Sequence, residues 1–142
     1  MFKGSNVALI TPFKDNKLDE ESYIKIINHH LENGTNGLVP VGTTGESPTL
    51  SHDEHERTIE LCIKEATGKL PIIAGTGSNS TEEAVSLTKH AEKAGADGAL
   101  VVTPYYNKPT QEGLYQHYKS INDNCGIPII IYNIPSLSLI HI

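Results

Sequence analysis

The chain has 142 residues, of which 37% are apolar and 20% are charged, values typical of one soluble globular domain with a sizeable core. Its formal net charge of −6, without a lysine and arginine cluster, argues against nucleic acid or an anionic membrane surface as a partner. We expect neither a secretory leader nor a membrane span, because no charged-then-apolar segment follows Met1 and no apolar run reaches the ~18 residues that a span requires. Cys62 on an apolar helix side and Cys125 at a helix end predict free thiols, so we expect a cytoplasmic protein.

Five short apolar runs alternate with four amphipathic helical patterns along the chain. The apolar runs predict strands at residues 7–10, 37–40, 71–75, 98–102 and 128–132. The helices are predicted between Asp19 and Gly34, Ser51 and Gly68, Ser80 and Gly95, and Gln111 and Asn124. The second and third helices open with sequences typical of capping boxes, at residues 51–54 and 80–83. Continuously apolar strands that alternate with amphipathic helices indicate a parallel sheet covered by helices.

Two architectures fit this alternation, a doubly wound open sheet and a (β/α)8 barrel. Each predicted strand ends in a polar segment rich in Gly or Pro, as expected when every loop after a strand faces one common site, and this favours the barrel. No G-x-G-x-x-G opens a helix after the first strand, so a dinucleotide site is not expected. A complete barrel needs about 250 residues. The predicted fold class is therefore α/β, a partial TIM (β/α)8 barrel of about four and a half units over residues 1–135.

The segment Gly42-Thr43-Thr44-Gly45 holds two hydroxyl groups between two glycines, directly after the second apolar run. Glycine lets the backbone approach a ligand closely, and the N–H groups of such a turn need acceptors. The turn therefore suits a carboxylate or a phosphate. On these residues alone, an ordinary turn with solvated hydroxyl groups remains the alternative.

Three tyrosines lie where the fourth and fifth strands end, Tyr105 and Tyr106 after one and Tyr132 at the end of the other. In a barrel, their hydroxyl groups converge on the same mouth as Thr43 and Thr44. Such hydroxyl groups can relay a proton to or from a reacting carbonyl if they lie within about 3 Å of each other. The alternative is that the tyrosines are amphipathic rim residues with their hydroxyl groups in water.

Five motifs in this order resemble the dihydrodipicolinate synthase family of pyruvate-dependent Schiff-base aldolases. They are Gly42–Glu46, His52–His55, Ala74–Gly77, Val102–Asn107 and Tyr132–Pro135. The resemblance runs from Met1 to about Ser136, which corresponds to the first half of the family's barrel. The Gly-Thr-Thr-Gly turn is shared with neighbours such as N-acetylneuraminate lyase and keto-deoxy-sugar acid aldolases, whereas its combination with Pro-Tyr-Tyr-Asn and the paired histidines points to the synthases.

The resemblance implies that pyruvate forms a Schiff base with a lysine, becomes an enamine and attacks aspartate semialdehyde, in lysine biosynthesis through diaminopimelate. It implies no metal and no organic cofactor. Tyr132 would be the general acid and base, Thr43 would link it to Tyr106, and Tyr106 would reach into a neighbouring subunit's site. Thr44 and the Gly45 backbone would bind the pyruvate carboxylate. Family members are commonly tetramers built from dimers, so a homo-oligomer is expected.

Some members of the family are inhibited by lysine. The residues of this chain that match the family's lysine site are Ser47, His52, His55, Asn79, Glu83 and Tyr105, and Pro48 lies within that site. For the two histidines the alternative is capping and solvent contact in the first turn of a helix.

Two departures from the family bear on activity. Leu137 stands where the family has an arginine that helps to bind the substrate carboxylate, and the Schiff-base lysine belongs on a sixth strand. A Schiff-base amine must be largely neutral near pH 7, about 3 pKa units below its free value, which needs burial or a nearby cation. All the lysines of this chain are predicted in turns or on polar helix faces, and none is expected to substitute: Lys3, Lys14, Lys17, Lys25, Lys64, Lys69, Lys89, Lys93, Lys108 and Lys119.

We therefore expect the isolated chain to be inactive and residues 136–142 to be an aberrant tail, produced by a frame break or a foreign sequence. A non-catalytic half-barrel that binds a small carboxylate or lysine, or that pairs with another chain through its unpaired sheet edges, is a second interpretation. A related aldolase with another aldehyde partner, such as N-acetylneuraminate lyase, is a third.

Overall fold

A computed structural model describes residues 2–135, so the predicted tail at 136–142, with Leu137, lies outside the described residues. The strands are β1 Asn6–Ala8, β2 Phe13–Lys14, β3 Lys17–Leu18, β4 Gly37–Val39, β5 Ile73–Gly75, β6 Gly98–Val102 and β7 Ile129–Tyr132. The helices are α1 Glu20–Glu32, α2 His52–Ala66, α3 Thr81–Ala94 and α4 Gln111–Asn124. The predicted α/β alternation is confirmed. None of the helices in residues 2–135 has the length and hydropathy needed to cross a membrane.

Five of the strands pair in parallel and in the order in which they occur in the chain. β1 pairs with β4, where Val7 lies opposite Leu38, and β6 pairs with both β5 and β7. A single parallel bridge between Leu38 and Ile72 links β4 to the start of β5. A doubly wound sheet reverses its strand order at a switch point, and no reversal occurs here. All five strands therefore end along one edge, where the polar segments follow them.

The core lies between these strands and the helices, which pack on one another in the order α1, α2, α3 and α4. In the larger cluster, Tyr23 and Ile27 of α1 and Ile59 and Cys62 of α2 are fully buried with Leu38 of β4. A smaller cluster joins α3, β6 and α4 through Ala84, Ala99, Val101 and Ile121. Cys62 and the half-buried Cys125 are free thiols, as predicted.

Each helix begins at a side-chain cap that accepts a hydrogen bond from a backbone N–H three residues further on; the caps are Asp19, Ser51, Ser80 and Thr110. The capping box predicted at residues 51–54 is present. The capping box predicted at residues 80–83 is only half formed. The Ser80 side chain caps the helix as predicted, but the prediction of a reciprocal hydrogen bond to the Glu83 side chain is wrong. The carboxylate of Glu83 does not return to the Ser80 backbone, because it accepts hydrogen bonds from Ser78 and His52 instead. The Ser80 N–H donates to Ser78 Oγ at 3.0 Å.

The first strand is shorter than predicted. It covers Asn6–Ala8 rather than residues 7–10. The Leu9 N–H still donates to the Val39 carbonyl at 3.0 Å, whereas Ile10 is turned outward and is 55% exposed. The apolar run therefore continues beyond the ladder of hydrogen bonds that defines the strand.

A hairpin that the sequence analysis did not predict follows β1. β2 and β3 pair in antiparallel fashion, with Phe13 opposite Leu18. Asp15 and Asn16 connect them at φ 51° and 59°. Two consecutive left-handed residues are typical of the type I′ hairpin turn, and Asp and Asn tolerate that conformation better than other side chains. The consecutive residues Asp15 and Asn16 are the feature of the sequence from which this hairpin could have been predicted.

Candidate active site

A cleft of about 520 Å³ opens at the edge where β4, β5, β6 and β7 end. Its walls are formed by Val41, Gly42, Thr43, Ser47, Pro48, Gly75, Gly77, Leu100, Val102, Tyr105, Tyr106, Lys108, Tyr132 and Ile134. In parallel α/β folds, ligands bind outside the carboxyl ends of the strands, because the loops that follow neighbouring strands meet there. This cleft is therefore the candidate active site.

The floor of the cleft is built from backbone that leaves no room for side chains at two glycines. A Cβ atom on Gly75 would lie 2.3 Å from the Val41 carbonyl oxygen, and one on Gly77 would lie 2.3 Å from the Val102 nitrogen. The Gly75 N–H donates to the Pro40 carbonyl at 2.9 Å, which holds the two strand ends together. The Gly-Thr-Gly sequence that begins at the last residue of β5 is thus explained by the close approach of neighbouring strands.

The loop after β4 starts in a strained conformation. Val41 has φ 47°, a left-handed value that is unfavourable for a β-branched residue and that is commonly found where function requires it. A 3₁₀ turn follows at Thr43–Gly45 and a second at Ser47–Thr49. Glu46 between them is also left-handed, at φ 60°. The strain fixes the direction in which the loop leaves the strand.

Only part of the predicted anion-binding turn faces the cleft. Gly42 and Thr43 line it, whereas Thr44 is exposed outside the lining and Gly45 is buried. The Gly45 N–H donates to the Gly42 carbonyl at 2.9 Å within the turn. The Gly45 carbonyl accepts a hydrogen bond from Thr11 Oγ1 at 2.7 Å, which ties the turn to the segment after β1. In this conformation the Gly45 amide is therefore engaged within the protein.

The three predicted tyrosines all line the cleft, and so does Thr43. Tyr106 is 89% exposed and has φ 68°, so its ring projects from a strained loop. The structure brings Thr43, Tyr106 and Tyr132 to one cavity, as expected from the rule that parallel strands end together. A hydrogen-bonded relay between their hydroxyl groups stays a prediction.

A smaller cavity of about 90 Å³ adjoins the cleft. Its lining residues are Ser47, Pro48, Leu50, His52, His55, Gly77, Glu83, Leu87 and Tyr105. Five of the six residues predicted to sense lysine thus lie around one space. The sixth, Asn79, is not among them, and its carbonyl accepts a hydrogen bond from Asn107 Nδ2 at 3.2 Å. Ser47, Pro48, Gly77 and Tyr105 line both cavities and form a shared wall.

The smaller cavity combines a carboxylate with a buried imidazole. Hydrogen bonds from the Ser78 hydroxyl and from His52 Nε2, the latter at 2.7 Å, lower the pKa of Glu83, so this carboxyl group stays ionised. His55 is 3% exposed, and burial lowers its pKa to about 4. The Gly75 backbone interacts with the His55 ring and raises its pKa, but the effect of burial is larger, and the ring makes no hydrogen bond of good geometry with the described residues. His55 therefore does not make the solvent contact that was its alternative role.

Sequence reasoning missed one residue of the cleft. Lys108 was grouped with the lysines of turns and polar faces, but it lines the cleft beside Tyr105 and Tyr106. It has φ 43° and is exposed. Nothing in the local pattern distinguishes it from other turn lysines, because its position follows from the path of a strained loop.

The fold and the cleft define an α/β protein whose polar site lies where parallel strands end. The chain belongs to the Dihydrodipicolinate synthetase family, which it matches over residues 1–142. Among curated relatives, the 4-hydroxy-tetrahydrodipicolinate synthase of Pelagibacter ubique is 78% identical over 140 residues, which are 99% of this chain and 48% of the relative. That of Bradyrhizobium diazoefficiens is 67% identical over 139 residues, 98% of this chain and 47% of the relative.

Solved structures agree with this assignment. Dihydrodipicolinate synthase from Aquifex aeolicus superimposes with a TM-score of 0.95 at 57% identity, over 98% of this chain and 47% of that chain. The 4-hydroxy-tetrahydrodipicolinate synthase of Methylacidiphilum fumariolicum gives a TM-score of 0.96 at 47% identity, and the match covers 99% of this chain and 47% of that chain. The chain spans about half the length of the curated relatives that it matches.

Proposed function

We propose that this chain forms part of a 4-hydroxy-tetrahydrodipicolinate synthase, a lyase that condenses pyruvate, held as a lysine Schiff base, with aspartate semialdehyde in lysine biosynthesis. The observation that carries the proposal is the convergence of Thr43 and Tyr132 on one cleft at the strand ends, with the exposed Tyr106 at its rim. The names of relatives up to 78% identical support it. A cytoplasmic location, as expected from the sequence, accompanies this proposal.

The architecture proposed for residues 1–135 is the first four and a half units of a (β/α)8 barrel. Its support is the sequential parallel order of β1, β4, β5, β6 and β7, with a helix after each of the first four. In this partial barrel sheet, β1 and β7 are the edge strands, and each presents unpaired backbone groups to a further strand. The remaining strands of a barrel would pair with these two edges.

In the proposed mechanism Tyr132 transfers protons to and from the reacting carbonyl, and Thr43 links it to Tyr106. The reaction needs a donor that is close to the substrate and that stays protonated until the transition state, which a tyrosine hydroxyl provides. The 89% exposure of Tyr106 suits a ring that completes the site of a neighbouring subunit, and a homo-oligomer follows from that role.

The pyruvate carboxylate is assigned to Thr44 and to the Gly45 backbone. The N–H groups of Thr43 and Thr44 begin the 3₁₀ turn and have no partner within it, which supports an anion at this position. Because the Gly45 N–H donates to the Gly42 carbonyl, it would exchange that bond for one to the ligand. No metal or organic cofactor is required by this scheme.

Lysine is the proposed ligand of the smaller cavity. The ionised Glu83 would pair with an ammonium group of the ligand, and one ring nitrogen of the neutral His55 would offer an acceptor. His52, Ser47 and Tyr105 line the same space. Asn79 would join them only after the loop that carries it moves, since its side chain lies outside the lining of this cavity.

The isolated chain is expected to be inactive. Lys108 is the one lysine among residues 2–135 that lines the cleft, and it stands exposed on the rim. A Schiff-base lysine needs an environment that makes its neutral amine available, and the exposed position of Lys108 on the rim does not supply the burial that would do so.

The test joins residues 1–135 of this chain to the remaining half of the Pelagibacter ubique relative. The joined protein should consume pyruvate and aspartate semialdehyde at a rate within about tenfold of the unaltered relative, since this chain is 78% identical to the part of the relative that it replaces. The isolated chain should show no turnover. Activity with a sugar aldehyde in place of the semialdehyde would favour the related aldolases, and inactivity with every aldehyde in a folded joined protein would favour a non-catalytic binding role.

A further inference from the structure

Thr11 connects the segment after β1 to the turn that follows β4. Its side chain is buried, at 4% exposure, and Thr11 Oγ1 donates a hydrogen bond to the Gly45 carbonyl at 2.7 Å, across 34 residues of sequence. Gly45 is buried as well. A buried carbonyl that loses its donor has no bulk water to replace it, so such a hydrogen bond is costly to remove. The bond therefore fixes the position of the turn relative to β1.

The donor end of this bond is held rigidly. Thr11 precedes Pro12, and a residue before proline is biased toward extended backbone conformations. The Pro12 carbonyl accepts a hydrogen bond from the Asp19 N–H at 2.9 Å, and Asp19 is the cap of α1. On the other side, the Leu9 N–H donates to the Val39 carbonyl at 3.0 Å. The Thr11 hydroxyl thus projects from a segment that is anchored on both sides.

The acceptor end lies in a strained turn. Val41 before the turn and Glu46 after it have left-handed backbone conformations, at φ 47° and 60°. Strained residues of this kind persist only where surrounding contacts hold them. Gly45 packs closely on the segment after β1, since a Cβ atom on it would lie 3.0 Å from the Leu9 carbonyl oxygen and 3.1 Å from Thr11 Oγ1. The hydrogen bond and this close packing together hold the turn in place.

The position of the turn matters because of the groups that it carries. Thr43 lines the cleft, and the proposed function assigns Thr44 and the Gly45 backbone to the pyruvate carboxylate. To reach that ligand, the Gly45 N–H must leave the Gly42 carbonyl, to which it donates at 2.9 Å. An anchor on the carbonyl of Gly45 keeps the residue in place while its amide changes partner. Binding is tighter when the contacting groups are held in position beforehand, because less freedom is lost on binding.

We propose that Thr11 is a positioning residue for pyruvate, whose hydroxyl holds the Gly45 carbonyl and, through it, the turn that receives the pyruvate carboxylate. The inference rests on the proposed function. Thr11 is not among the described residues that line the cleft, so it acts through the turn and does not touch the substrate. Loss of the hydroxyl leaves the Gly45 carbonyl without its donor, and the turn then shifts to satisfy that carbonyl.

The experiment uses the protein that joins residues 1–135 to the second half of the Pelagibacter ubique relative, with Thr11→Val and Thr11→Ser. Thr11→Val keeps the shape of the side chain and removes the donor. It should raise KM for pyruvate about five- to thirtyfold, with kcat and KM for aspartate semialdehyde within about threefold. Thr11→Ser keeps the donor, so its KM for pyruvate should stay within about threefold of the unmodified value. A purely structural role would lower kcat through the amount of active protein and leave both KM values unchanged.

Thr103→Val is the matched control. Thr103 is also buried, at 2% exposure, and it too follows a strand and precedes a proline. Its Oγ1 makes no hydrogen bond with the residues that the structure describes, and Thr103 lies outside the described lining of the cleft. The same substitution at this position should leave both KM values unchanged. If Thr11→Val does not fold, Thr11→Ala replaces it, since alanine removes the donor without adding volume.

With the unmodified joined protein active, three results would overturn the inference alone. They are an unchanged KM for pyruvate in Thr11→Val, an equal increase of that KM in Thr11→Ser, and an equal increase in Thr103→Val. Inactivity of the unmodified joined protein would overturn the proposed function and this inference together.

Discussion

The buried imidazole of His55 makes the stability of the protein depend on pH in a window that can be stated in advance. Burial lowers the pKa of His55 from its ordinary value of 6.5 to about 4. A difference of about 2.5 units at 1.36 kcal/mol each corresponds to roughly 3 kcal/mol of unfolding free energy. His55→Leu fills a similar space without a titrating group and should remove this dependence.

The direction follows from which state binds the proton. Between about pH 6.5 and pH 4 the unfolded chain binds a proton at His55 that the folded chain excludes. The contribution of His55 is therefore fully present above pH 6.5 and is lost as the pH falls toward 4. Carboxylates such as Glu83, whose pKa is lowered in the folded protein, cause a further loss of unfolding free energy at more acidic pH, in wild type and variant alike. The difference between wild type and His55→Leu isolates the histidine.

Urea unfolding followed by circular dichroism between about pH 7.5 and 4.5 measures this difference. The free energy of wild type should fall by about 2 to 3 kcal/mol more than that of His55→Leu over this range. His29→Gln is the control, because His29 is exposed on α1 and its removal leaves the buried imidazole in place. Parallel pH profiles for wild type and His55→Leu would refute the assignment of a neutral, desolvated imidazole to this position.

Three further predictions concern packing, catalysis and helix capping. Gly75→Ala should destabilise the chain by about 2 kcal/mol or more, since its Cβ would lie 2.3 Å from a backbone oxygen, whereas Gly42→Ala should be neutral or stabilising by up to about 1 kcal/mol. Urea unfolding of both variants checks this contrast, and an equal decrease in the free energy of unfolding of the two variants would contradict the close-packing argument. Tyr132→Phe in the joined protein should lower kcat about a hundredfold with little change in KM for pyruvate, and steady-state kinetics with an unchanged kcat would remove Tyr132 from proton transfer. Ser51→Ala should cost about 1 kcal/mol through the lost cap of α2, while Ser86→Ala on the exposed face of α3 should cost nothing, as thermal melts of the pair would show.

The alternation of strands and helices was predictable because buried parallel strands are continuously apolar and the helices carry one apolar face. The shared cleft of Thr43, Tyr106 and Tyr132 followed from the same reasoning, since parallel strands end along one edge. What the sequence did not predict is the direction of individual side chains and amides within a single turn. Sequence adjacency of Thr43, Thr44 and Gly45 did not reveal that the 3₁₀ turn points them in three directions, one into the cleft, one to solvent and one into the protein.

Long-range partners explain the other differences. Glu83 has the local signal of a capping box, but a partner 31 residues away competes for its carboxylate, and the charged hydrogen bond to His52 prevails. Lys108 carried no local signal at all, because its place in the cleft depends on two left-handed residues in one loop. For Glu83 the deciding contact joins residues that are distant in the chain, whereas for Lys108 it is the backbone conformation of a single loop.

The wall shared by the two cavities constrains how this protein can change. A substitution at Pro48 or Tyr105 alters the shape of both spaces at once, so any adjustment of one cavity there carries a side effect in the other. His55 belongs to the smaller space alone, and Thr43 to the larger alone. Variation that tunes each cavity independently is confined to such unshared positions, and laboratory evolution for one property would find its freely accessible mutations there.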